Sequence, residues 1–294
     1  MSPVTAPMPT EREHTIELQD GRRLSYLLLG ASSGPAVVVL DGPGSRGLAR
    51  AAAEAAGERG IRLVAPDRPG FFASTPQPDR TIAGWVADHA ALLDALGIER
   101  AGILAQSGGT PYALAAAAAL PERTVALAFT GGLAPLDRPG ALEEADKQLR
   151  GGVKLGRRAP WLLRLALRAA ARKGPEKTAL AMIAKAPPAD AAVLAEPRYR
   201  ALHMQAMAEI LARPAALADE IVLVGRPSGV DLRRIQAPAA FWTGDRDETH
   251  PPAHARRLAA ELGGDVTIVP DAATFGLLPY YGAALAFAAG AASA

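Results

Sequence analysis

Six residues, Leu104-Ala105-Gln106-Ser107-Gly108-Gly109, constrain this chain more than any other stretch. They follow an apolar run, Ala101 to Leu104, that predicts a buried strand, and they precede an Ala-rich segment, Pro111 to Leu120, that predicts a helix. A serine between strand and helix, with small residues two before and two after it, fits the nucleophile-elbow pattern G-x-S-x-G, with Ala105 in the first small position. The turn is so tight that larger side chains two residues away would strike the neighbouring strand and helix. Ser107 then stands above the carboxyl edge of a parallel sheet, with the helix N-terminus and the Gly108 amide beneath any oxyanion. An ordinary Gly-Ser turn capping a helix is the plainer alternative, and the surrounding chain decides between them.

That surrounding chain alternates strands and helices. Residues 14–19 and 23–29 read as two strands joined at Asp20-Gly21, a hairpin signal. Ala36 to Leu40 is a valine-rich run suited to burial on both faces, and it enters the Gly/Pro loop Asp41-Gly42-Pro43-Gly44-Ser45-Arg46. A helix to about Gly60, a strand from Ile61 to Ala65, a helix from Thr81 to Leu96 and a strand from Thr124 to Phe129 continue the pattern. Repeats of this kind predict an α/β class chain: a mostly parallel twisted sheet flanked by helices, with ligands at the carboxyl ends of the strands. From Pro139 to Pro227 no strand pattern occurs, only helical segments broken at glycines and prolines; strands resume at Ala239 to Trp242 and Val266 to Val269. The expected organisation is a disordered N-terminus (1–12), a core domain (13–135 and 228–294) and an inserted helical cap or lid (136–227).

At 294 residues the chain can bury a large core. It has no cysteine, which excludes disulfides and thiolate metal sites and fits a reducing compartment; with no signal-peptide pattern and no membrane-spanning run, a cytoplasmic location is expected. Nothing calls for a metal or a cofactor, and no nucleic-acid motif is present.

The chain resembles α/β-hydrolase fold proteins of the small bacterial type with a helical cap, from His14 to Ala289. The likeness is carried by Gly42-Pro43-Gly44-Ser45-Arg46, by Asp67-Arg68-Pro69-Gly70, by Gln106 to Leu114 around the elbow, and by Trp242-Thr243-Gly244-Asp245-Arg246-Asp247 with Pro251 to Leu258. The resemblance implies that Ser107 is the nucleophile and Asp247 the acid that orients a catalytic histidine. It places that histidine where the chain reads Thr274-Phe275, and a threonine hydroxyl is too weak a base to take the serine proton near neutral pH. A second departure lies in the oxyanion loop, where the resemblance implies His-Gly-x-Pro-Gly and this chain has Asp41-Gly42-Pro43-Gly44, one residue shorter. The donor position falls either on Pro43, which has no N–H, or on Gly42 with Asp41 beside it. Either way a carboxylate sits where an oxyanion should form.

Of the five histidines, His14, His89, His203 and His254 read as structural, whereas His250 lies three residues beyond Asp247 at the active edge and is the one candidate substitute base. Asp41, at the end of a buried strand, reads either as a turn residue or as an acid–base group whose pKa burial would raise. The cap is strongly cationic: ten basic residues from Lys147 to Lys177 face only Glu176. Such a face suits an acyl carrier protein, a phosphate-bearing substrate, an anionic membrane surface or simply water. Trp161, Leu162 and Leu165, with Met204 and Met207, are expected to line the pocket.

The resemblance thus implies an α/β-hydrolase fold with a degenerate Ser-His-Asp triad. The leading expectation is a non-hydrolytic enzyme, a lyase, cyclase or isomerase, acting by acid–base chemistry on a mostly apolar small molecule such as an intermediate of a natural-product pathway. Its catalytic groups would be Ser107, Asp41 and Asp247, and its substrate contacts Gly42, Gly108, Gln106, Thr274, Phe275, Trp161 and His250. The alternatives are a serine esterase with His250 as relocated base and a non-catalytic ligand-binding protein.

Overall fold

The computed structural model describes residues 12–290. The expected disorder of residues 1–12 therefore lies, except for Arg12, outside the described residues. Within them an eight-stranded sheet runs in the order β1-β2-β4-β3-β5-β6-β7-β8: β1 (Glu13–Glu17), β2 (Arg23–Gly30), β3 (Ala36–Leu40), β4 (Arg62–Pro66), β5 (Ala101–Ser107), β6 (Thr124–Gly132), β7 (Ala239–Gly244) and β8 (Asp265–Val269). β2 is antiparallel to both β1 and β4, and all other pairs are parallel.

Helices α1 (Gly47–Glu58), α2 (Trp85–Ala95) and α3 (Thr110–Ala119) connect the first strands. The insertion between β6 and β7 holds α4 (Ala141–Glu144), α5 (Lys147–Arg158), α6 (Pro160–Arg172), α7 (Pro175–Ile183), α8 (Pro188–Ala195), α9 (Pro197–Ala212) and α10 (Pro214–Val224). α11 (Pro252–Leu262) and α12 (Tyr281–Ala288) close the chain.

The sheet has a core on each face because its central strands are apolar on both sides. All five residues of β3 are buried, with Val38 and Leu40 in the cluster under α2 and α3 and Val37 and Val39 in the cluster under α1 and α12. Across β6 and β7, Phe129 stacks on Phe241 with ring centroids 5.0 Å apart.

Arginine ion pairs tie the insertion to this core. Arg68, beyond β4, donates to Glu220 of α10 at 3.1 Å and to the Asp41 and Gly42 carbonyls at 3.0 Å each; Arg80 and the Tyr112 hydroxyl complete the shell around Glu220 at 2.6 and 2.9 Å. Glu220 is fully buried, which opposes its ionisation, but the charges of Arg68 and Arg80 outweigh that and hold its pKa below the ordinary value. Arg50 of α1 similarly meets Glu209 of α9 at 2.7 Å.

One buried group in the core makes stability pH-dependent. His89 of α2 is buried with Nδ1 unpartnered among the described residues, and burial, aided by the charge of Arg123, lowers its pKa from 6.5 to about 4. Above pH 6.5 neither state is protonated and its contribution is fully present. Between pH 6.5 and 4 the unfolded chain takes up a proton that the folded chain refuses, so stability falls with pH, by up to about 1.4 kcal/mol per pH unit. Urea midpoints measured from pH 7 to 5 should decline, and less steeply in His89→Gln; equal slopes would assign the decline to other groups.

Candidate active site

Ser107 ends β5 with φ +50°, a left-handed conformation unusual for a residue with a side chain, which is the backbone signature of a sharp strand-to-helix turn. The glycine two residues on is obligatory: a Cβ on Gly109 would lie 1.9 Å from the Leu40 carbonyl oxygen. Ala105, two residues before, is completely buried. The small-residue pattern around the serine thus has a direct steric cause. On the β3 side Ser107 faces Gly42, where an added Cβ would come within 3.9 Å of its hydroxyl.

β6 lies on the other side of β5, and the loop after β7 reaches over its end. Asp247 folds that loop through Oδ1, which accepts the amides of Thr249 (3.0 Å) and His250 (2.8 Å). Its Oδ2 meets His250 Nδ1 at 3.1 Å and accepts the Thr274 hydroxyl at 3.1 Å. Because a carboxylate can only accept, Nδ1 carries the hydrogen, and Nε2 of a neutral His250 is a bare acceptor. That Nε2 is buried with no hydrogen-bond partner among the described residues. Burial works to raise the Asp247 pKa, but the charge of His250 and the hydrogen bonds from His250 and Thr274 prevail and hold it below the usual value. Gly131, whose φ of +72° is a left-handed conformation that suits glycine, packs beside this pair: a Cβ there would lie in ordinary contact, 3.6 Å from His250 Nδ1 and 3.8 Å from Asp247 Oδ2.

Ser107 and His250 share the wall of a cavity of about 260 Å³, together with Gln106, Asp41, Gly42, Thr249, Thr274 and Phe275. α9 roofs it with Tyr199, Leu202, His203, Ala206, Met207 and Ile210, an i, i+3, i+4, i+7, i+8, i+11 face. The cavity is apolar over the roof and polar at the floor, where the strand ends converge. Among the described residues no hydrogen bond joins Ser107 to His250, and no group of three or more carboxylate, imidazole or thiol side chains is arranged to hold a metal.

Several sequence expectations are corrected. Asp41 does not present a free carboxylate: Oδ1 accepts the Gly42 amide at 2.6 Å and Oδ2 the Leu48 amide at 2.9 Å. Burial raises its pKa, opposed by those two amides, and each oxygen helps fasten the loop to the start of α1, although the residue still borders the cavity. The same bond occupies the Gly42 N–H, and Pro43 has none, so this loop offers the oxyanion neither amide. Trp161 is not in the cavity: it is 68 % exposed. The buried face of α6 is Leu163, packed with Ala218 and Val222 of α10, so Trp161, Leu162 and Leu165 point outward. Met207 lines the cavity as expected, but Met204 does not.

Three participants were missed. His203, taken for structural, sits in the roof, edge-on to Phe275 with centroids 4.8 Å apart; its Nε2 is buried and unpartnered among the described residues, and burial lowers its pKa. The helical spacing Tyr199, His203, Met207 carried the signal. Glu220 carried none, being 152 residues from Arg68. Asp190 of α8 likewise reaches across the chain: its Oδ1 accepts the Ala273 and Gly276 amides at 2.7 and 2.8 Å and its Oδ2 the Phe275 amide at 2.8 Å, which fixes the loop that presents Thr274.

The comparisons with known proteins agree with the fold. A family model described as alpha/beta hydrolase fold matches residues 35–159. An alpha/beta hydrolase fold protein from Nakamurella multipartita is 24% identical with a TM-score of 0.71, covering 96% of this chain and 100% of its own. A thermophilic esterase from Thermogutta terrifontis, with malate bound, is 23% identical (TM-score 0.66; 94% and 95% covered), and an enol-lactonase from Burkholderia xenovorans LB400 is 19% identical (TM-score 0.65; 93% and 97% covered). No curated protein matches the sequence significantly. The chain has the α/β-hydrolase fold.

Proposed function

We propose that the protein is a serine hydrolase of carboxylic esters whose acyl or alkyl part is mostly apolar, with Ser107 as nucleophile, His250 as base and Asp247 as the acid that orients it. The observation that carries this reading is the Asp247–His250 contact at 3.1 Å, which leaves a buried, unpartnered Nε2 on a residue that shares a cavity wall with Ser107. Likeness to an esterase and an enol-lactonase supports ester chemistry. In this scheme the Ser107 hydroxyl attacks the ester carbonyl while its proton passes to His250 Nε2, and Asp247 stabilises the imidazolium through Nδ1–H. The alcohol leaves with that proton, and water then releases the acid by the same route. The tetrahedral oxyanion meets the Gly108 amide at the head of α3, without help from Gly42 or Pro43. Loss of one such donor costs about 10²–10³-fold in turnover, so the enzyme is a slow one.

A lyase, cyclase or isomerase built on Asp41 finds less support, because both its oxygens are engaged by amides. A purely ligand-binding role leaves the buried Asp247–His250 contact without purpose. The test is covalent labelling with a fluorophosphonate, which reports an activated serine. Ser107 is expected to label stoichiometrically in the parent protein and not in Ser107→Ala. Absence of label in the folded parent protein would refute the activated serine.

A further inference from the structure

The described residues expose six large apolar side chains, and five of them, Trp161, Leu162, Leu165, Leu180 and Met182, lie on α6 and α7. Scatter over a surface of this size would be ordinary; concentration in two adjacent helices is not. On α6, Trp161, Leu165, Arg168 and Arg172 follow one another at i, i+4, i+7 and i+11 and therefore share a face, opposite the buried Leu163. Trp161 and Leu165 are 68 % and 55 % exposed.

Charge is concentrated here as well. Arg157 and Arg164 of this region are spoken for, by the Gly225 carbonyl and Asp219 at 2.6 Å each. Lys154, Arg158, Arg168, Arg172, Lys173 and Lys177 have no acidic partner among the described residues, and Glu176 is the one acid within residues 147–177. An exposed tryptophan and leucine followed along one helix face by arginines, within a wider cluster of lysines and arginines, matches what the boundary of an anionic bilayer requires: an amphipathic ring and apolar chain at headgroup depth, and cations against lipid phosphates.

We propose that α6 and α7 form a peripheral docking surface for an anionic phospholipid bilayer. A second copy of the chain on the same face would set these cations against each other. An acidic carrier protein would satisfy the cations but gives no role to Trp161 and Leu165. None of the helices is long and apolar enough to cross a membrane among the described residues, so the attachment is to the surface. Met182, 48 % exposed on α7, also lines the Ser107 cavity, which places an edge of the cavity on one of the two docking helices.

The experiment is vesicle flotation of the full chain, with liposomes of phosphatidylglycerol and phosphatidylcholine against phosphatidylcholine alone. The protein is expected to float with the anionic vesicles at low ionic strength, to be released by salt, and to ignore the neutral ones. Trp85 and Trp242 are buried, so a blue shift of tryptophan emission on binding reports Trp161. Arg168→Glu with Arg172→Glu, and independently Trp161→Ser with Leu165→Ser, should each weaken binding by about tenfold or more while the thermal midpoint holds, since all four side chains are exposed. Absence of flotation at low salt, equal binding to neutral vesicles, undiminished binding in both double variants, or capture of an acidic acyl carrier protein without vesicle binding would each overturn the proposal.

Discussion

Replacing His250 by alanine is expected to lower kcat for a p-nitrophenyl ester by about 10⁴–10⁶-fold, as far as Ser107→Ala does, because nucleophile and base act as one unit. The double variant should be no worse than either single one. The protein should stay folded, since Asp247 retains the amides of Thr249 and His250 and the Thr274 hydroxyl. Thr274→Val removes a single hydrogen bond to Asp247 and should cost tenfold or less, on the order of 1 kcal/mol. The contrast is the informative part: steady-state rates in which Ser107→Ala is dead and His250→Ala retains a tenth of the activity would exclude His250 as the base. A dead Thr274→Val beside an active His250→Ala would return the function to the position where the family resemblance places the histidine.

Glu220→Ala should be the most damaging substitution for stability outside the hydrophobic core. It leaves two buried guanidinium groups, Arg68 and Arg80, and the Tyr112 hydroxyl without their common partner, and breaking a buried ion pair from one side costs about 3–5 kcal/mol. Urea unfolding reads this directly. The damage should also reach the site, because the Arg68 guanidinium that Glu220 steadies also holds the Asp41 and Gly42 carbonyls beside Ser107. A variant that loses less than 1 kcal/mol would mean that water replaces the carboxylate at little cost.

Much of the fold was legible because its determinants are local. The Asp20-Gly21 hairpin, the Ala36–Leu40 run and the serine flanked by Ala105 and Gly109 each specify backbone geometry within a few residues. The candidate site was legible in position, though not in role, where a motif fixes it, as at Ser107, Asp247 and Thr274. It was not legible where one pattern permits two outcomes. An Asp before Gly at a strand end serves equally as acid or as loop fastening, and the amides of Gly42 and Leu48 decide for the latter in this structure. Helix α6 has apolar residues on two faces, so composition could not tell that Leu163 turns inward and Trp161 outward. His250 was visible as a neighbour of Asp247, but the turn that brings its Nδ1 onto the carboxylate depends on two backbone amides that have no sequence signature.

The three amides gripped by Asp190 join α8 and the segment from Ala273 to Gly276 into one moving part. If α8 swung away to admit substrate, it would have to break all three charge-assisted bonds or drag Thr274 off Asp247. A door hinged there would disarm the machinery it opens. Met182 of α7, half-exposed and on the cavity wall, takes no part in these bonds, so entry past it would leave the Asp190 grip on Thr274's loop intact.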